Sequence, residues 1–171
     1  MDQIEFFVTI PSNDKSLPED QQKPNSFGVR LPQPINLDTQ YQVALYEIFY
    51  ENNSVKYEPI HDEDLNVYNM YVVKGTNSGS DTQIKTDMFI YCNIIEQQVV
   101  GSQYLGLLKH VSNSRLEEPQ VFRSADPIQW VNVTPRHITN LTFSINDEQG
   151  NPCNLIGTTT IVLCFRKRID L

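Results

Sequence analysis

Three histidines are the first side chains to test for chemistry, because imidazole serves as a metal ligand and as a general base. His61, His110 and His137 lie far apart, and no two of them have the i, i+2 or i, i+4 spacing that places two ligands on one face of a strand or helix. A cupin-like metal site needs several histidine and carboxylate ligands on adjacent strands. The histidines therefore predict no metal centre.

The segment His61-Asp62-Glu63-Asp64 is an acidic cluster with oxygen ligands of the kind that calcium prefers. It lacks the alternate-residue ligand spacing and the turn glycine of a calcium-binding loop. We interpret it as a solvated acidic loop.

The sequence contains no complete motif for phosphate binding or for a catalytic nucleophile. Gly157-Thr158-Thr159-Thr160 has neither the lysine nor the helix that a phosphate-binding loop requires. No serine lies in a G-x-S-x-G turn, and Cys164 stands between Leu163 and Phe165, where it is expected to act as a small apolar side chain. The sequence therefore predicts no catalytic residue, no cofactor and no enzymatic activity.

The remaining candidates are residues that make contacts with partners. Arg166, Lys167 and Arg168 form a basic run directly after the last predicted strand. The run could face an acidic interior such as packaged nucleic acid, pair with carboxylates of a neighbouring subunit, or be a solvated tail, which we favour. Trp130, the single tryptophan, is either an interface hot spot or, as its strand register favours, a core anchor.

The elements that position these residues are short strands, since apolar residues recur at every second position between turn-forming segments. No segment keeps a helical apolar spacing over the roughly 11 residues of a typical helix. The alternation predicts strands over residues 4–10, 27–31, 41–50, 65–73, 88–95, 105–111, 128–133, 141–145 and 161–165.

The sequence also predicts one strand pairing and one strand irregularity. A turn-rich segment, 146–152, joins strands 141–145 and 161–165, so we expect these two strands to form an antiparallel pair. In the strand 41–50, the apolar set shifts register at Tyr46 and Glu47. A β-bulge or an edge-exposed Glu47 explains the shift better than a buried Glu47 held by a cation.

About eight to ten short strands with long connections favour Greek-key crossovers. The prediction is an all-β fold, a single jelly-roll β-sandwich of about eight core strands in two antiparallel sheets. With 171 residues, the chain is expected to form one domain, 1–171. The long polar connections 13–25 and 113–127 are expected to be contact or exposure surfaces.

Charge and composition exclude several classes of function. The net charge of −8 argues against a general nucleic-acid binder, and no window is apolar enough to span a membrane. The acidic N-terminus has no apolar signal segment, so we expect the product to stay in the cell. Cys92, Cys153 and Cys164 form no C-x-x-C pair, which predicts reduced, partly buried thiols.

Several stretches resemble the minor capsid, or penton, proteins of Polinton/Maverick elements and adintovirus-like double-stranded DNA viruses. The matching stretches are FFVTIPSN (6–13), FGVRL (27–31), PINL (34–37), VALYEI (43–48), MFIYCNIIEQQVVG (88–101), YLGLLK (104–109) and the closing segment 143–166.

The resemblance implies a structural virion protein, five copies of which close each vertex of an icosahedral capsid inside the host cell. The implied partners are other copies of the chain, a double jelly-roll major capsid protein and, through the basic run, packaged DNA. The major capsid protein needs about twice the strands available here, so length favours the vertex subunit. The alternatives are a receptor-binding or spike module and a carbohydrate-binding or hydrolytic β-sandwich.

Overall fold

The computed structural model describes residues 5–37, 40–52, 57–59, 71–73, 87–112, 120–124 and 127–168. For 51–52, 57–59, 71–73 and 120–124 only the backbone is described. The acidic cluster at residues 61–64 lies outside these ranges, as does most of the predicted strand 65–73.

The described part of the chain forms thirteen β-strands and one short 3-10 turn, Glu19–Gln21. The strands are β1 (Glu5–Pro11), β2 (Ser26–Asn36), β3 (Tyr41–Asn52), β4 (Tyr57–Pro59), β5 (Tyr71–Val73), β6 (Met88–Cys92), β7 (Gln98–Val100), β8 (Gln103–Leu105), β9 (Leu107–Val111), β10 (Gln120–Ser124), β11 (Val131–Asn132), β12 (His137–Asn146) and β13 (Leu155–Lys167).

Eight of these strands build two antiparallel sheets. Sheet A has the order β1-β13-β3-β10, with the short β11 also paired to β3, and sheet B has the order β2-β12-β6-β9. Along the chain, these eight strands alternate between sheet A and sheet B. The exception is β6 and β9, which follow one another in sheet B and pair with each other. This alternation is the jelly-roll topology, so the predicted fold class is confirmed.

The core lies between the two sheets because each strand turns alternate apolar side chains inward. In β12, for example, Leu141, Phe143 and Ile145 are buried, whereas Thr142 between them is exposed. Among the described residues, the largest fully buried side chains come from both sheets and, for Ile94, from the turn after β6: Phe165, Ile10, Leu45, Ile48, Ile90, Ile94, Leu108, Ile138, Leu141, Ile145, Ile161 and Leu163.

The predicted antiparallel pairing of the last two long strands is wrong. β12 pairs with β2 and β6 in sheet B, whereas β13 pairs with β1 and β3 in sheet A. The turn between them does form, with the Asp147 carboxylate accepting hydrogen bonds from the backbone of Gln149 and Asn151. This turn leads the chain from sheet B to sheet A. Each of the two strands has one apolar face, and both apolar faces are buried when the strands lie on opposite sides of the core.

The predicted bulge in β3 is confirmed. Val162 pairs with Glu47 and Leu163 with Leu45, so Tyr46 is the additional residue that has no partner on β13. Glu47 is half-buried rather than enclosed, which removes the need for a compensating cation. The bulge also decides where the Tyr46 ring lies.

The outer edge of β2 is closed by the loop 12–25. Gln22 donates to the Gly28 carbonyl at 2.9 Å and accepts from its amide at 3.2 Å, and Ser16 Oγ accepts from the Arg30 amide at 2.8 Å. Leu17 approaches so closely that a Cβ on Gly28 would lie 3.0 Å from its Cδ1. The predicted polar loop therefore protects a sheet edge against pairing with another strand.

Candidate interaction surface

The outer face of sheet A carries a contact between aromatic side chains on strands that are not neighbours. Phe7 pairs with Cys164 and Cys164 with Ala44, so these residues form one row across β1, β13 and β3. The rings of Phe7 and Tyr46 meet edge to face with centroids 5.0 Å apart. Because β13 lies between β1 and β3, the Phe7 and Tyr46 rings must meet over the outer side of β13.

This contact explains the burial of Cys164. Its neighbours Leu163 and Phe165 face the core, so Cys164 points to the outer face, yet only 3% of it is exposed. The small side chain lies beneath the Phe7–Tyr46 pair.

The same face leaves apolar surface open. Phe7 is 54% exposed and Phe49 43% exposed, although Ile48 and Tyr50 on either side of Phe49 are buried. Each phenylalanine leaves roughly 100 Å² uncovered, given the 150–250 Å² of an aromatic side chain. We call Phe7, Tyr46, Phe49 and Trp130 the aromatic face.

Arg166 and Trp130, for which contact with a partner was one of the alternatives that the sequence left open, lie together on this surface. The Arg166 guanidinium carbon lies 3.9 Å from the centroid of the Trp130 ring, a cation–π arrangement. Its Nε and Nη2 donate to Gln42 Oε1 at 3.2 and 2.9 Å. Gln42 in turn donates to Asn132, which donates to Glu96 at 2.8 Å. These bonds hold the arginine in one orientation over the indole.

The interpretation of Trp130 as a core anchor is wrong. The inward position is taken by the next residue, Val131, which is buried and pairs with Val43. Trp130 is half-buried beneath Arg166. Its role as an interface residue stays a prediction.

The interpretation of the basic run as a solvated tail is also wrong. β13 extends through Lys167, so Arg166 and Lys167 are half-buried strand residues that point to opposite faces. Arg168 donates from its backbone to the Gln40 carbonyl at 2.9 Å and from its side chain to Gln40 Oε1 at 3.2 Å. The three charges do not form one patch.

An open cavity of about 300 Å³ lies at the same end of the sandwich. Arg136 and Arg168 line it together with Glu96, Tyr41 and Leu37. The lining therefore mixes charges of both signs with apolar side chains.

The thiols are unsuited to nucleophilic chemistry. Burial raises the pKa of Cys92 to about 12, and burial together with the Asp147 carboxylate raises that of Cys153 to about 11. Burial also raises the pKa of Cys164, helped by Glu5 and opposed by Arg166. All three are free and buried, as the sequence predicts, and they stay protonated at neutral pH.

A Ser-Asp-His group on the outer face of sheet B is arranged for structure rather than catalysis. Asp87 Oδ2 lies 2.8 Å from His110 Nε2, and Ser112 donates to Asp87 Oδ1 at 3.1 Å. The hydroxyl therefore bonds to the carboxylate, whereas activation of a serine requires a bond to the imidazole. Phe89 stacks on the histidine ring at 4.7 Å.

Within the described ranges, no group of three histidine, cysteine or acidic side chains is placed to hold a metal ion. None of the helical structure in the described residues has the length and apolar character needed to cross a membrane.

Comparison with known proteins rests on structure rather than sequence. No family model matches the chain, and no curated protein matches it. The crystal structure of the mavirus penton protein has the same fold. It superposes with a TM-score of 0.57 at 8% identity, over 97% of this chain and 100% of that one. The similarity therefore extends over the whole jelly roll of both proteins, at an identity that identifies the fold and not the family.

The aromatic face was missed by sequence reasoning, although one signal was present. In 4–10 the buried face is formed by alternate apolar residues, and Phe7 is a large apolar residue on the opposite, polar face beside Glu5 and Thr9. A single exposed apolar residue is common on protein surfaces, so this signal alone does not identify a contact surface.

Proposed function

We propose that this protein is a structural capsid subunit of the penton type, five copies of which occupy each vertex of an icosahedral double-stranded DNA virus. The observation that carries the proposal is the shared jelly roll over the full length of a known penton protein. Residues 1–171 then constitute one capsid domain, located in the virion and assembled in the host cell.

A geometric function fits the chemistry of the described residues. The thiols are protonated and covered, and the hydroxyl of the Ser-Asp-His group bonds to the carboxylate and not to the imidazole. An aromatic face with an ordered arginine is instead typical of protein contacts, because tyrosine, tryptophan and arginine dominate the binding energy of interfaces. Catalytic turnover is not part of the proposed role.

The proposed partners are other copies of the chain and a double jelly-roll major capsid protein. Packaged DNA is the less supported partner, since the basic run does not form one patch and the net charge is −8. Arg168 is the exposed residue of the run, whereas Arg166 and Lys167 are half-buried.

Native mass spectrometry of the purified chain tests the proposal. A ring of five 19.7 kDa chains has a mass of about 98 kDa. A pentamer supports the penton function. A trimer favours the spike alternative, and a strict monomer at high concentration that binds glycans favours the carbohydrate-binding alternative; either result contradicts the proposal.

A further inference from the structure

We propose that residues 13–24, which lie between β1 and β2, form a strap that opens as one unit and controls access to the outer edge of β2. The closed strap prevents another strand from pairing at this edge, and the open strap exposes it. The proposal is independent of the penton function, because it concerns the folded chain before any assembly.

The Gln22 side chain takes the place of a neighbouring strand. It donates to the Gly28 carbonyl at 2.9 Å and accepts from the Gly28 amide at 3.2 Å. A carboxamide carries a donor and an acceptor side by side, as a peptide group does. Both backbone groups of Gly28 point outward, whereas those of Phe27 and Val29 on either side point toward β12.

The strap also closes the edge on both sides of Gly28. Lys23 and Ser26 exchange two backbone hydrogen bonds, of 2.9 and 3.0 Å, and Ser16 Oγ accepts from the Arg30 amide at 2.8 Å. Further along β2, the prolines at positions 32 and 34 have no amide proton to offer another strand. The strap therefore covers the part of the β2 edge that is best able to pair.

The strap is held more weakly than the strands beside it. None of residues 13–24 is buried, and Leu17 is the single large aliphatic side chain among them. An open cavity of about 680 Å³ lies between the strap and Gly157. Hydrogen bonds contribute little net stability where water can replace either partner. Segments with few buried apolar contacts open at a lower free energy than the whole fold.

Both ends of the strap are attached firmly to the sandwich. Ser12, only 4% exposed, donates from its backbone to the Thr159 carbonyl at 2.7 Å, and its Oγ accepts from the Thr159 amide at 2.9 Å. At the other end, the Asn25 side chain donates to the Cys153 carbonyl at 2.7 Å, and the Asn25 carbonyl accepts from the Ile145 amide at 2.8 Å. The strap can therefore open between fixed ends while the strands stay paired.

Hydrogen bonds within the strap connect the residues that close the edge to their neighbours. The Ser16 amide donates to Asp14 Oδ1 at 2.8 Å, and the Gln22 amide donates to the Glu19 carbonyl at 3.0 Å. Each closing residue is thus part of a small folded turn and not of an extended chain. Loss of one closing contact is therefore expected to loosen the whole strap.

Amide hydrogen exchange, followed residue by residue by NMR, measures this opening in the wild type. The amides of Ser26, Gly28 and Arg30 all bond to the strap, so their protection factors should agree within about threefold. They should be at least about tenfold lower than those of Phe27 and Val29, which exchange only when β2 separates from β12.

Gln22→Ala tests whether the strap opens as one unit, with Gln21→Ala, at an exposed neighbouring residue, as the matched control. Gln22→Ala should raise the exchange rates of all three edge amides about tenfold, including those of Ser26 and Arg30, to which Gln22 does not bond. The rates of Phe27 and Val29, and all rates in Gln21→Ala, should change less than about twofold.

Access to the edge is measured by sedimentation velocity. A double variant, Ser16→Ala with Gln22→Ala, should associate at least about tenfold more tightly than Gln21→Ala, because its β2 edge is open to pairing between chains. Equal association of the two proteins would contradict control of the edge by the strap.

Two exchange results would overturn the inference. If the edge amides of the wild type are as protected as Phe27 and Val29, the edge opens only on global unfolding, and this comparison needs no variant to fold. If Gln22→Ala accelerates exchange at Gly28 alone, single bonds break and no strap opens. Either result leaves the penton function intact, because that function is tested by the mass of the assembly.

Discussion

Phe7 and Tyr46 lie on strands separated by β13, and their rings meet above that strand with centroids 5.0 Å apart. The contact exists because a bulge in β3 adds Tyr46 to the outer face. It covers a thiol on the outer side of the sheet and leaves Phe7 half open to solvent. One irregularity of the backbone thus shapes the outer face of sheet A.

Removal of the Tyr46 ring should uncover Cys164. None of the three thiols of the native wild type is expected to react quickly with Ellman's reagent at pH 8, because all are buried with raised pKa values. Tyr46→Ala should make one thiol reactive, whereas Val99→Ala, at a residue 68% exposed in β7, should not. If Cys164 stays as protected in Tyr46→Ala as in the wild type, another group covers it.

The buried thiols predict loss of stability at alkaline pH. The pKa of Cys92 is about 12 in the folded chain and near 9 when unfolded, so the unfolded state releases its proton first. The free energy of unfolding should therefore be fully retained below pH 9 and should fall as pH rises toward 12, by up to about 1.4 kcal/mol per pH unit for this thiol.

Urea unfolding at pH 7, 9 and 10 measures this loss. Cys92→Ala is the control, since its free energy of unfolding should fall less steeply between pH 9 and 10 than that of the wild type. Equal slopes for the two proteins would mean that the thiol contributes nothing to the pH dependence.

Arg166 and Trp130 should be energetically coupled. A double-mutant cycle with Arg166→Gln and Trp130→Leu is expected to give a coupling energy of about 0.5–1 kcal/mol in urea unfolding. Arg166→Lys should recover only part of it, because lysine lacks the planar group that stacks on the ring and reaches Gln42 twice. Additive effects of the two single substitutions would contradict the contact.

The core between the sheets should dominate stability. Leu163 is fully buried in β13, the strand that pairs with both β1 and β3, and Leu163→Ala is expected to cost about 2–5 kcal/mol of unfolding free energy. Val99→Ala, on an exposed side chain, should cost less than about 0.5 kcal/mol. A similar cost at both positions would mean that Leu163 does not pack in the core.

The jelly-roll fold could be predicted from the sequence, because alternation of apolar residues identifies strands with one buried face. The bulge could also be predicted, since Glu47 interrupts an otherwise regular apolar pattern. β10 was missed, because the sequence Gln120–Ser124 is short and lies in a charged connection.

Which strands pair could not be predicted so well. The strong turn after β12 suggested a hairpin with β13. The local sequence of a turn does not determine whether the next strand joins the same sheet or the opposite one. Similarly, the basic run gave no sign that β13 extends through Lys167 or that Arg166 meets Trp130, which lies 36 positions earlier in the chain. Such contacts depend on the pairing of distant strands.

A density map of the virus particle that contains this protein tests the central claim most directly. The account predicts a single jelly roll of this chain in five copies around each fivefold axis. Density for this chain in a threefold spike, or its absence from the vertices, would contradict the account.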